Sequence, residues 1–314
     1  MPSKQTKKRH HYVPQFYLAG FLDPQRPSSL WVYEKGTGRV FPSTPRKIAV
    51  ESHYYSFTGP DGNKDSNMLE NLPSEIEGAA ARGTAKILAG EPLSDEDRSN
   101  FAVFLGFLLV RVPNFQQLTE SMVAGFAKMY SRRLASNPEW FRRSIEKYEK
   151  ATGDDVGNDL EGLREFALRG EYDISVNRDF NLRFILLGER LAPILHQMTW
   201  TFLRATDDYK FLTSDNPLVY YDPTCDGNSL HGVGFTNKHI EVTVPISRDI
   251  ALLATWRDGR DSRYLPVDNK TVKAVNRRAV ISASRFIFAS QESEGIRRLV
   301  KKFPIESPMF HWMG

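Results

Sequence analysis

The sequence predicts an α+β protein, with a mixed or antiparallel sheet built from the N- and C-terminal thirds and packed against a central helical bundle. Three observations lead there. Short β-prone runs with Gly-rich turns occupy residues 1–65, helix-period apolar patterns occupy 70–196, and β-prone runs return in 197–314 ahead of a basic terminal helix. With 314 residues, 40% of them hydrophobic and 25% charged, the chain has enough apolar content to bury a large core. The three regions read as one composite domain over 1–314, because a β start with so few strands could not bury its own aromatic residues.

After a basic arm comes His10-His11-Tyr-Val-Pro-Gln-Phe-Tyr-Leu-Ala-Gly-Phe21, where Pro14 opens a short helix that Gly20 and Pro24 limit. Phe16, Tyr17, Phe21 and Leu22 would anchor it to a core. Residues 30–41 read as a hairpin around Gly36-Thr-Gly38, and 48–57 as a further strand closed by a turn at 59–63. A Ser74-x-x-Glu77 capping box after Pro73 predicts a helix to about Leu88. Ser94-Asp-Glu-Asp97 starts the next helix, and its apolar continuation over 101–110 makes it the centre of the bundle before Pro113 ends or kinks it. Helical periodicity continues over 115–134, 139–150, 159–169 and 178–196, with 153–157 as a flexible loop. Residues 199–204 and 211–213 read as strands paired across the Asp207-Asp208 turn, and 240–246 and 250–255 as a second antiparallel pair. A helix over 269–283, a strand over 285–290 and the basic helix follow.

The run 211–221 sets Thr213, Ser214, Asp215 and Asn216 into an otherwise apolar β stretch. Asp and Asn are depleted in strands, and Pro217 removes a ladder donor, so the strand must open, bulge or lie at an edge there. A carboxylate buried at such a point needs a partner or a cation. Common catalytic patterns are absent: no Gly-x-Gly-x-x-Gly, no Gly-x-x-x-x-Gly-Lys loop, no Gly-x-Ser-x-Gly and no His-Glu-x-x-His. The His10-His11 pair is not followed by the hairpin and helix of a histidine-metal finger, and His231 and His239 match no common metal spacing.

A scattered polar set remains: His11, Glu70, Glu77, Arg111, Asp215, Asn216, Asn276 and Arg285. One reading is a metal-dependent phosphodiesterase or nuclease. In it Glu77 and Asp215 hold a divalent cation, His11 is ligand or base, Asn216 assists, and Arg285 takes a phosphate oxygen. The alternative is a non-enzymatic nucleic-acid-binding or protein-interaction module that uses the basic ends, Lys4, Lys7, Lys8 and Arg9 at one and Arg297, Arg298, Lys301 and Lys302 at the other. The net charge of +4 permits a nucleic-acid partner without requiring one. A purely structural reading has Asp215 and Asn216 capping a turn, Arg285 pairing with Asp215, and Glu77 satisfying the start of its own helix. Burying that carboxylate without a partner would cost several kcal/mol, so the expectation is a pocket that Asp215 shares with His11 and at least one basic side chain, Arg285 foremost.

The opening motif, Thr213-Ser-Asp-Asn-Pro217, Val244-Pro-Ile-Ser-Arg-Asp249 and the segment from Asn276 to Ser290 together resemble the bacterial domain of unknown function family 4238. The resemblance implies one composite domain of about this length, with the opening and Ser-Asp-Asn-Pro motifs as signatures and no established reaction. The single cysteine, Cys225, excludes an intrachain disulfide and points to a reducing compartment. The longest apolar run is too short to span a bilayer and the basic arm leads into no apolar signal core, so the expectation is a cytoplasmic protein without a membrane partner.

Overall fold

A computed structural model of the chain describes residues 9–52, 57–58, 64–65, 67–176, 187–224, 234–257 and 262–304. The fold is α+β, and the chain divides into two compact units, 1–116 with 182–314, and 117–181. In the first unit, strands β1 (Arg9–His11), β2 (Leu30–Glu34), β3 (Val40–Ser43) and β4 (Val50–Ser52) come first, followed by the short pair β5 (Phe57–Thr58) and β6 (Lys64–Asp65). The later strands are β7 (Thr199–Ala205), β8 (Thr213–Ser214), β9 (Val219–Tyr221), β10 (Glu241–Pro245), β11 (Ile250–Thr255), β12 (Arg263–Val267) and β13 (Phe286–Ala289). They build a five-stranded sheet in the order β12-β7-β11-β10-β9 and a four-stranded sheet in the order β3-β2-β13-β8, while β1 pairs with β4.

Strand period explains why the five-stranded sheet is buried on both faces. Along β7, Trp200 and Phe202 face the main core with Val242, Val244 and Leu252, while Leu203 and Ala205 face the other way, onto Ala251, Val267, Val272 and Val275. The second face is covered by a helix, Asn269–Ser282, started by Asp268 accepting from Thr271 N.

Helix α1 (Gln15–Leu18) runs into a 3₁₀ turn at Ala19–Phe21, and α2 (Asn67–Ala89) leads to α3 (Asp95–Val110). Ser94 caps α3 by accepting from Asp97 N. From Phe101 onwards α3 is buried on every side but Val103, with Phe101 edge-on to Trp200 at 5.8 Å and Phe104 against Phe16 at 5.2 Å. A later helix, Leu187–Gln197, crosses α3 so closely that a Cβ on Gly106 would lie 2.1 Å from the Gly188 carbonyl oxygen. Only glycine fits there. Buried Arg98 lies 4.1 Å from the centre of the Trp200 ring and donates to the carbonyls of His196 and Met198, which satisfies the end of the crossing helix.

Helix α4 (Pro113–Ala135) begins in the first unit and continues into the second, which adds α5 (Pro138–Thr152) and α6 (Leu160–Arg169). Ala135, Phe141 and Ala167 form its small core. Asn137 and Asp159 cap α5 and α6, and left-handed Gly153 and Gly170 end them. The remaining helices are numbered α7 (Leu187–Gln197), α8 (Asn269–Ser282) and α9 (Glu294–Lys302). Among the described residues no single helix is long and apolar enough to cross a membrane.

Several local expectations change. The strands flanking Asp207-Asp208 do not pair with each other, because Phe211 N donates to Arg248 O and Leu212 N to Asn276 Oδ1, which peels the chain away from β7 into the other sheet. The run 211–221 splits into β8 and β9 in different sheets, with Pro217 in the crossing between them. Strand β12 was not foreseen, and it pairs parallel to β7. Helix α2 starts at Asn67, ahead of the Ser74 capping box. The strand expected over 48–57 is described only as Val50–Ser52 and Phe57. The turn at 59–63 and the expected helical start at 178–186 lie outside the described residues.

Candidate functional site

The four segments that carry the resemblance meet in space. Tyr17 of the opening motif donates its hydroxyl to Pro245 O at 2.5 Å, so the 2.8 Å bond with Thr213 Oγ1 has threonine as donor. Gly20 O accepts from Arg248 N at 2.9 Å, and a Cβ on Gly20 would lie 2.6 Å from Ile246 O. The opening motif is therefore seated on the β10–β11 turn and on β8.

Asp215 is buried at the junction where α8 gives way to β13. Its Oδ1 accepts from Ser284 N at 2.8 Å, and its Oδ2 from Arg285 N at 2.7 Å and Phe286 N at 2.8 Å. Burial pushes the carboxyl up to about 6, against the opposing pull of these three N–H groups and of Lys35. The expected ion pair with Arg285 is not formed. In the β2–β13 register Phe286 stands opposite Glu34, and the Arg285 guanidinium reaches across to Glu34 Oε1 through Nε at 2.8 Å and Nη2 at 2.6 Å. Asp215 takes the main chain of Arg285, and Glu34 takes its side chain.

Asn216 is committed in the same way. Its Nδ2 donates to Ser282 O at 3.1 Å, and its backbone N–H goes to Ser214 Oγ at 3.1 Å. Lys35, also buried, donates Nζ to Val280 O at 3.0 Å and Ala283 O at 2.9 Å, where the carbonyls at a helix C-terminus favour a cation. Asn276 Oδ1 accepts from Leu212 N, and its Nδ2 donates to Lys210 O. The polar cluster thus holds the sheet-to-sheet crossing against both ends of the α8–β13 connection.

His11 sits elsewhere on the opening motif. Its Nε2 donates to Arg46 O at 3.3 Å, which leaves Nδ1 to accept from Gln15 Nε2 at 3.4 Å. Burial lowers its pKa, and the Arg111 charge adds to that, so the ring is held neutral. Arg111, the C-cap of α3, donates Nη1 to Glu77 Oε1 at 2.8 Å and Nη2 to His11 O. Glu77 therefore serves α3 and β1 rather than the start of its own helix. The neighbouring Tyr12, just past the end of β1, is buried: burial raises its hydroxyl pKa and the Asp215 charge raises it further. Among the described residues no group of three His, Cys, Asp or Glu could hold a metal ion, and Glu77 and Asp215 are not brought into one such group.

A different feature escaped the sequence reading. The turn after β2 and the helix α9 flank a half-open cavity of about 390 Å³, lined by Gly36, Thr37, Gly38 and Arg39 on one side and Arg297 and Lys301 on the other. Helix α9 packs Ile296, Leu299, Val300 and Phe303 onto Tyr33, Val280 and Ile287, so its cations are left on the outer surface. The basic run and the hairpin were both visible in the sequence, but their facing one another was not.

The sequence profile of the family described as Protein of unknown function (DUF4238) matches residues 9–293, and the chain belongs to this family. No curated protein and no solved structure matches. The junction around Asp215 lies inside the matched span, and α9 begins one residue beyond it.

Proposed function

We propose that this protein is a non-enzymatic nucleic-acid-binding protein that holds the phosphodiester backbone against α9. The observation that carries the reading is the way α9 is docked. Its apolar side is fixed to the core, and Arg298, Lys301 and Lys302 stand exposed with Arg277 of α8. Exposed cations on a rigid helix bind phosphate by releasing condensed counterions, without reference to sequence. The rival reading, a metal-dependent phosphodiesterase or nuclease, draws on the neutral imidazole of His11. Against it weighs the commitment of Asp215 and Asn216 to backbone groups and of Glu77 to Arg111.

The test is fluorescence anisotropy with labelled single- and double-stranded oligonucleotides between about 50 and 200 mM salt. Affinity should fall linearly with salt on logarithmic axes, and Arg298→Gln with Lys302→Gln should weaken binding to every sequence alike with little change in Tm. Absence of binding at the lowest salt would end this reading. Divalent-dependent cleavage of the same oligonucleotides by the wild type, lost in His11→Ala, would replace it with the hydrolase.

A further inference from the structure

We infer that the cavity between the 36–39 turn and α9 is a seat for a phosphomonoester dianion. Its volume of about 390 Å³ is at the lower end of the range for small-ligand sites. Two elements far apart in the chain supply its cations: Arg39 follows the turn, and Arg297 and Lys301 lie one helical turn apart on the same flank of α9.

The charges left over define the ligand. Glu34, which also lines the cavity, gives Oε1 to the Arg285 fork and Oε2 to Thr37 Oγ1 at 2.9 Å. Arg39 Nη1 is 3.7 Å from that second oxygen, beyond hydrogen-bond length, and the Arg39 side chain is 70% exposed. Arg297 is paired with Glu292. Among the described residues, with Arg285 balancing Glu34 and Glu292 balancing Arg297, the surplus is Arg39 and Lys301, two positive charges facing one cavity. A phosphomonoester carries close to two negative charges at neutral pH and three acceptor oxygens, whereas a backbone phosphodiester carries one. Gly38, at φ +69, would meet nothing within 4 Å if it bore a Cβ, so open space adjoins the turn. A half-open recess of this charge suits a dianionic end group better than a singly charged backbone phosphate.

Such a group could come from the phosphorylated end of a nucleic-acid strand or from a free phosphorylated small molecule. The strand-end source rests on the nucleic-acid reading above; the small-molecule source does not. Calorimetry with inorganic phosphate and with a nucleoside 5′-monophosphate, against the unphosphorylated nucleoside, reads the seat directly. Binding of the phosphorylated compounds alone is expected, weakened about tenfold by either Arg39→Gln or Lys301→Gln and unaffected by Arg143→Gln in the other unit. Anisotropy with 5′-phosphorylated and 5′-hydroxyl strands of one sequence then separates the sources. A preference for the phosphorylated strand, lost in the two variants, assigns strand ends. Monophosphate binding with no oligonucleotide binding keeps the seat and removes the nucleic-acid reading. Oligonucleotide binding indifferent to the 5′ group, with no response to phosphate or monophosphate, overturns the seat and leaves the nucleic-acid reading standing.

Discussion

Asp215 and Arg285 are joined through the main chain and separated by their side chains: the carboxylate takes the Arg285 N–H at 2.7 Å while the guanidinium binds Glu34. An anion that accepts three consecutive N–H groups fixes where α8 stops and β13 starts. The polar cluster in the 211–221 run is thus the fastening between two sheets.

Replacing Asp215 by Asn should destabilise the protein at acid pH by about 1–3 kcal/mol, because both oxygens of the protonated carboxyl can still accept, whereas the amide nitrogen only donates and faces an N–H group. The difference should shrink with pH. The folded carboxyl titrates at about 6 against an ordinary 3.8, so the folded state retains a proton that the unfolded state has lost. Wild-type stability is therefore highest below pH 4 in this respect, and up to about 3 kcal/mol is lost as pH rises through 6. Urea titrations of both proteins from pH 4 to 7 check this; a gap that widens with pH would mean that the N–H groups outweigh burial.

The Tyr17 hydroxyl should be worth about 1–3 kcal/mol, since Tyr17→Phe leaves Thr213 Oγ1 and Pro245 O short of a buried partner. Thr213→Val should cost less in the Tyr17→Phe background than in the wild type. A double-mutant cycle with coupling indistinguishable from zero would refute the link between the two motifs.

Gly106→Ala should cost several kcal/mol or prevent folding, as its methyl group would meet the Gly188 carbonyl oxygen 2.1 Å away. Gly78→Ala, exposed on α2 with nothing within 4 Å, should instead raise stability by about 0.5–1 kcal/mol. Thermal melts of the two variants that shift alike would contradict the close crossing of α3 and α7.

Limited proteolysis should cut first at 153–157, where Gly153 and Gly157 have positive φ and the chain is largely exposed between α5 and α6. The 30–43 hairpin, paired through β2 to β13, should resist for longer. Early release of an N-terminal fragment cut within that hairpin would count against this order.

Helix positions were legible because period and capping are local: the start read at Ser94 is kept, and Asn137 and Asp268 cap helices that period had placed from 139 and 269. Local strand pairs were legible too, the 30–43 hairpin and the β10–β11 pair, but the placing of β7 and β8 was not, because they are close in sequence and each finds better partners elsewhere. Asp215 was readable as a carboxylate in need of company, but which groups it found was not, since backbone N–H groups leave no mark in a sequence. Glu34 and Lys35 read as an ordinary charged hairpin end, and only tertiary packing buries them. The basic run on α9 was plain, whereas the turn that faces it is contributed from the other end of the chain.

The placement of β13 between β2 and β8 delays completion of that sheet until the chain is nearly fully synthesised. Arg285 and its partner Glu34 are 251 residues apart, and at about 5–20 residues per second a ribosome needs roughly 10–50 s to deliver one after the other. Throughout that interval the inner edge of β2 is exposed, with Val32 and Tyr33 seeking a neighbour. Nascent chains stalled before residue 286 should therefore recruit chaperones or aggregate, and release of the remaining residues should end that vulnerability.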